Sequence, residues 1–168
     1  GITATAFVCA GLIDTRTPHW WEVVDDAVSL GVVNKSDVGT TEGPAVRARL
    51  KEMEDERRRA IVDEFASRLA QQRRDSEHSQ LTSDEVRTWV RAGQEVGNHT
   101  WDHPCLDQCA PREQERQVRV AHEALSDMLE APPDVFAWPN GNPAPAALAE
   151  ARRLGYRLVL TFDHRLCK

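Results

Sequence analysis

The residues best placed to do chemistry are His99 and His103, which bracket Thr100-Trp101-Asp102. Imidazoles four residues apart share one face of a helical turn, where both can close on one ion. Neutral imidazole suits zinc, cobalt or nickel better than magnesium or calcium. The Thr100 hydroxyl can hold the backbone of such a turn, and Pro104 ends it. Asp102 reads either as a partner for a ligand histidine or as a solvated loop carboxylate. The spacing alone also fits ordinary surface histidines, so the position of the pair in the fold has to decide. Two ligands hold zinc weakly, because structural sites use four protein donors and catalytic sites three plus water. A metal here is expected to be loosely held or completed by solvent.

Other reactive residues give weaker patterns. Cys105 and Cys109 have the spacing of half a metal site, without the other half. With Cys9 and Cys167 they read as free or locally paired thiols. His19, His78 and His122 show no partner pattern. Asp25-Asp26 lies within a helical pattern, away from any strand end. Thr161-Phe162-Asp163-His164 reads as a strand end facing the site.

What must position His99 is the short strand Glu95-Val96-Gly97-Asn98, which runs straight into it. Ahead of that strand, Thr82-Ser83-Asp84-Glu85 forms a capping box. The helix it opens turns Val86, Trp89 and Val90 inward and stops at Gly93. After the histidines, a helix over roughly Pro111 to Glu130 carries Val118, Ala121, Leu125, Met128 and Leu129 on one face. A strand over Val135 to Trp138 breaks at Pro139-Asn140-Gly141. A helix over Pro145 to Leu154 and a strand over Arg157 to Phe162 complete the series. Ile2 to Cys9 reads as a buried strand at the start. Strands alternating with helices imply a parallel sheet with helical crossovers. In such α/β folds the site lies at the C-terminal ends of the strands, where His99 and the Trp138–Gly141 turn both fall.

Residues 14 to 80 lack this rhythm. A helix is expected from His19 through Leu30, with Gly31 as its stop, and a loop over 34–44. One long charged helix should then run from Pro44 to Arg74, with Leu50, Met53, Ile61, Phe65 and Leu69 as a sparse apolar stripe. Arg73 to Gln80 reads as a polar linker. The charge run Lys51 to Arg59 reads as a solvated helix face rather than a nucleic-acid surface. A net charge of −6 argues the same way for the whole chain. No apolar run approaches the ~20 residues that span a bilayer. The chain begins at Gly1 and shows no signal peptide, which leaves the compartment open.

Taken in order, the capped helix, Glu95 to Leu106, the long helix, Phe136 to Asn142, a further helix and Leu154 to Thr161 resemble the polysaccharide deacetylase family (carbohydrate esterase family 4). Gly1 to Val8 resembles its second strand. His99, Thr100 and His103 match its His-[Ser/Thr]-x-x-His motif. The resemblance covers about residues 1–13 and 81–162 of a single partial domain spanning 1–168, with a mainly helical insertion at about 14–80. It implies a partial, distorted β/α barrel whose first strand–helix unit is missing. It also implies a divalent metal, usually zinc, on one Asp and the two His, with metal-activated water attacking an acetamide carbonyl. An Asp acts as general base. Asn140 would offer a backbone N–H to the oxyanion. Trp138 and Pro139 would form a groove wall, although Trp138 reads equally well as core.

Three features depart from the family pattern. The Asp-Asp pair that supplies the base and the third ligand is expected one helix upstream of Gly1. The Arg common in the third motif is Ala137. The late Leu-x-x-His element is expected beyond Lys168. The implied function is a fragment of a metal-dependent deacetylase acting on the amide or ester acetyl groups of an N-acetylated glycan. The alternatives are a non-catalytic carbohydrate-binding relic and a purely structural domain. An open sheet edge beside Ile2 to Val8 is expected to favour self-association.

Overall fold

A computed structural model of the protein describes residues 1–72 and 79–162. In chain order the elements are β1 (Thr5–Val8), α1 (Trp20–Ser29), α2 (Lys35–Val38), α3 (Gly43–Lys51), α4 (Asp55–Gln71) and α5 (Ser83–Arg91). They continue as β2 (Glu95–Asn98), α6 (Pro111–Leu129), β3 (Val135–Ala137), α7 (Pro145–Arg153) and β4 (Leu158–Leu160). The four strands form one parallel sheet in the order β1-β2-β3-β4. Short parallel strands joined by helices make this an α/β fold, with the sheet open rather than closed into a barrel. Among the described residues β1 and β4 are the sheet edges.

The chain divides into two compact units, one of Gly1–Thr15 with Gln80–Lys168 and one of Arg16–Ser79. Within the first, Asp14 and Leu81 meet where the chain leaves and returns. The Asp14 N–H donates to the Leu81 carbonyl at 2.9 Å, and the Ser83 N–H donates to Asp14 Oδ1 at 2.9 Å. The Thr82 capping box forms as the sequence implies, with the Thr82 N–H on Glu85 Oε2 at 2.8 Å. Val86 enters a core with Val8, Val96, Ala121 and Leu125. Trp89 and Val90 do not follow it inward. Trp89 is 39% exposed because its indole N–H reaches back to the Glu95 carbonyl at 2.8 Å, which holds the ring at the rim.

The second unit has its own core of Val24, Ala27, Val46, Leu50 and Phe65. The single long helix expected over 44–74 is instead two helices, α3 and α4, broken at Glu52–Glu54. The break lets both apolar stripes face the same core. Asp55 favours the restart, since a carboxylate suits a helix N-terminus and this one accepts from Arg58 and Arg59. The expected 34–44 loop contains α2, capped where the Asn34 N–H meets Asp37 Oδ2 at 2.8 Å. Most of the linker expected over 73–80 lies outside the described residues, as do Asp163, His164 and Cys167.

Gly97 is what allows β1, β2 and β3 to pack where they do. A Cβ there would stand 2.5 Å from the Phe7 ring and 2.9 Å from Val135 Cγ2. Gly97→Ala is expected to destabilise the protein by about 1–3 kcal/mol through overpacking. A urea denaturation midpoint equal to that of the parent would contradict this.

Candidate metal centre

β2 delivers the chain to Asn98, whose side chain is fully buried. Beyond that point the backbone still pairs with the segment following β1. The His99 N–H donates to the Val8 carbonyl at 3.0 Å, the Ala10 N–H to Thr100 at 3.2 Å and the Gly11 N–H to Trp101 at 2.8 Å. Gly11 is needed there because a Cβ would collide with the Trp101 indole.

The segment 99–103 is not the helical turn that the spacing suggests. Thr100 and His103 take left-handed φ values of 73° and 58°. Each costs about 1–2 kcal/mol for a residue with a Cβ. Buried side chains offset that cost. Asn98 Oδ1 accepts from the Thr100 N–H at 2.7 Å, and Thr100 Oγ1 accepts from the His103 N–H at 3.1 Å. On the other side, Gln117 Oε1 accepts from the N–H groups of Trp101 at 3.0 Å and Asp102 at 3.3 Å. The bent loop does what a helical turn would have done. It brings the His99 and His103 rings to 4.7 Å, edge to face.

His99 Nδ1 lies 2.9 Å from the Ala137 carbonyl. A carbonyl only accepts, so Nδ1 carries a proton, and in the neutral ring the lone pair then lies on Nε2. This is how ligand histidines are held by their surroundings. The pair therefore fits a zinc-type ion as two of its donors. Among the described residues no group of three or more His, Cys, Asp and Glu converges on one point. Asp102 does not complete such a group; its Oδ1 accepts from Gln117 Nε2 at 2.8 Å.

The thiols are structural neighbours of this loop. Cys9 lies 3.4 Å from the His99 carbonyl, and burial, with the Asp102 charge second, pushes its thiol up to about 12. It stays protonated at neutral pH. Cys109 Sγ donates to the Cys105 carbonyl at 3.4 Å, and Cys105 Sγ accepts from Asn140 Nδ2 at 3.5 Å. Cys105 thus ties the loop after the histidines to the turn after β3.

In that turn Asn140 is left-handed, with φ 56°, and the Gly141 N–H closes on the Trp138 carbonyl at 3.0 Å. Pro139 is buried. Trp138 is only 4% exposed and packs edge-on against Phe136 at 5.0 Å. A ring so covered offers no face to a sugar. Of the two readings the sequence left open for it, these contacts describe core packing.

The chain matches the polysaccharide deacetylase family over residues 1–159. It belongs to that family. Three of the solved structures similar to it can be named. They are the Streptococcus pyogenes deacetylase PplD in complex with acetate (26% identity, TM-score 0.49, covering 52% of this chain and 39% of that one), a family 4 carbohydrate esterase from Streptomyces lividans in complex with acetate (23%, 0.43, 46% and 41%) and IcaB from Ammonifex degensii (24%, 0.47, 52% and 43%). The chain spans roughly two fifths of the length of these structures, 39% to 43%.

Within this chain, the supports of the loop were the least visible in the sequence. Gln117 sits at 0% exposure on α6, and Tyr156 lies beneath Asn98. Asn98 Nδ2 donates to the Val118 carbonyl at 3.0 Å and to the Tyr156 hydroxyl at 2.6 Å. The same hydroxyl is 2.9 Å from His122 Nδ1. Burial lowers the His122 pKa and raises that of Tyr156, which keeps both neutral around pH 7. His122 therefore has a partner that no spacing pattern announces. One signal was available for Gln117. It interrupts the inward face of α6 beside Val118, Ala121 and Leu125, and a polar residue buried there needs partners.

Replacing Asn98 with Leu removes its side-chain bonds to Val118, Tyr156 and the Thr100 amide at a buried position. The expected loss is about 1–3 kcal/mol of stability, with faster hydrogen exchange at the Thr100 amide. Unchanged protection of that amide would contradict the anchoring described for Asn98.

Proposed function

We propose that this chain carries the two-histidine half of the metal site of a deacetylase acting on N-acetylated glycans. The observation that carries the reading is the His99–His103 pair at the C-terminal end of β2, with His99 Nδ1 held by the Ala137 carbonyl, in a chain of the polysaccharide deacetylase family. A bound zinc-type ion would supply Lewis acidity toward the acetyl carbonyl and a more acidic water.

The chain's own groups do the rest of what can be assigned here. His99 and His103 supply neutral nitrogen donors. Ala137 fixes the His99 tautomer through its backbone, so the loss of the family's Arg side chain leaves that contact intact. The Asn140 backbone N–H is the proposed donor to the oxyanion that forms when water oxygen adds to the carbonyl carbon. The carbon–nitrogen bond then breaks, and acetate and the glycan amine leave. Pro139, itself buried, is proposed to shape the groove wall beside it from beneath. Trp138 supports that wall from within the core. The general base and the third ligand are proposed to come from the family's Asp pair, a role that Asp25 and Asp26, inside α1 rather than at a strand end, do not fit.

The test is acetate release from N-acetylglucosamine oligomers by the longest natural protein carrying this chain, with zinc added. His99→Ala and His103→Ala are each expected to reduce release to background, and His122→Ala to leave it measurable. Release unaffected by either ligand substitution would overturn the proposal. Glycan affinity that survives His99→Ala, with no release in the parent, would favour the non-catalytic carbohydrate-binding reading instead.

A further inference from the structure

We propose that Gln117 is a positioning residue for the metal loop, and that its side-chain amide sets the stance of His103 and so the tightness with which zinc is held. This rests on the reading of His99 and His103 as ligands. Gln117 lies on α6, in neither the loop nor a strand end, and is fully buried. All of its hydrogen-bonding groups are directed. Oε1 accepts from two successive loop amides, Trp101 at 3.0 Å and Asp102 at 3.3 Å. Nε2 donates to Asp102 Oδ1 at 2.8 Å and to Glu113 Oε1 at 2.9 Å.

The orientation of this amide follows from its neighbours. Carboxylates only accept, so the NH2 must face Asp102 and Glu113, and the oxygen must face the loop. Glu113 is paired with Arg116, whose Nε and Nη2 each donate to one of its oxygens at 2.7 Å. One planar group thereby pins Trp101 and Asp102, the two residues between left-handed Thr100 and left-handed His103. Neither flanking residue would hold that backbone conformation unaided. Once the two amides are released, rotation about φ at Thr100 or His103 is the easiest relaxation. It carries the His103 ring away from His99.

Length alone does not meet these requirements. Methionine at 117 fills the same space and makes none of the bonds. Glutamate keeps an oxygen to accept from both loop amides but turns its other oxygen toward the Asp102 and Glu113 carboxylates, and changing Glu113 to Gln at the same time returns one donor to that contact. A packing role would be served by methionine and would be indifferent to the second change.

The experiment is calorimetric titration of the chain with zinc alone, alongside hydrogen exchange of the metal-free protein, for Q117M, Q117E, Q117E/E113Q and H99A. Q117M is expected to weaken zinc binding by about 10- to 100-fold, the usual cost of losing a group that orients a ligand, and to speed exchange at the Trp101 and Asp102 amides. Q117E/E113Q is expected to bind more tightly than Q117E, and this comparison carries the test if Q117M does not fold. Parent-like zinc affinity in Q117M, with binding lost in H99A, would overturn the positioning role and leave the ligand reading standing. Zinc binding unchanged in H99A would overturn the ligand reading, and the role of Gln117 with it.

Discussion

The constraint on which the site depends is the continuation of β1–β2 pairing past the end of the sheet. Val8, Ala10 and Gly11 keep exchanging hydrogen bonds with His99, Thr100 and Trp101 after regular strand geometry has stopped. Parallel strands lack the tight turn that would fix their ends locally, so the ends here are fixed by their neighbours. With its backbone held on that side, the loop can only place His99 over β3, where the Ala137 carbonyl meets its Nδ1. The close approach of the strands, possible because Gly97 and Gly11 have no Cβ, is part of the same requirement.

The second requirement is the set of buried polar side chains beneath the loop. A bend with two left-handed non-glycine residues is unfavourable on its own. Asn98, Thr100 and Gln117 stabilise it by satisfying amides that the bend would otherwise leave without partners. Such networks hold best when every member is satisfied. That explains why Asn98 uses both ends of its amide and reaches Tyr156 as well as the loop.

Much of this arrangement was legible in the sequence. The strand running into His99, the Thr82 capping box and the helix beginning at Pro111 are local signals, set by alternation, by a hydroxyl–carboxylate pair and by the fixed φ of proline. Parallel topology followed from the order of the elements. The rest depended on contacts between distant residues. Nothing local distinguishes one charged helix over 44–74 from two helices turned onto a shared core. The i and i+4 spacing of the histidines suggested a helical turn, whereas a loop anchored from α6 brings the rings together in another way. The partner of His99 is a backbone carbonyl, so no residue type at position 137 could reveal it. Trp138 had two readings because an aromatic before Pro-Asn-Gly suits a groove or a core equally, and only its contact with Phe136 separates them.

In the proposed site, His99 and His103 present lone-pair nitrogens to one ion. The most direct measurement is long-range proton–nitrogen NMR of the histidine rings, with and without zinc. Metal-free His99 is expected to be protonated at Nδ1 and not at Nε2, and zinc to shift the Nε2 resonance of His99 together with the His103 ring while His122 is unmoved. A His99 ring protonated at Nε2, or zinc that leaves both rings unchanged, would contradict it.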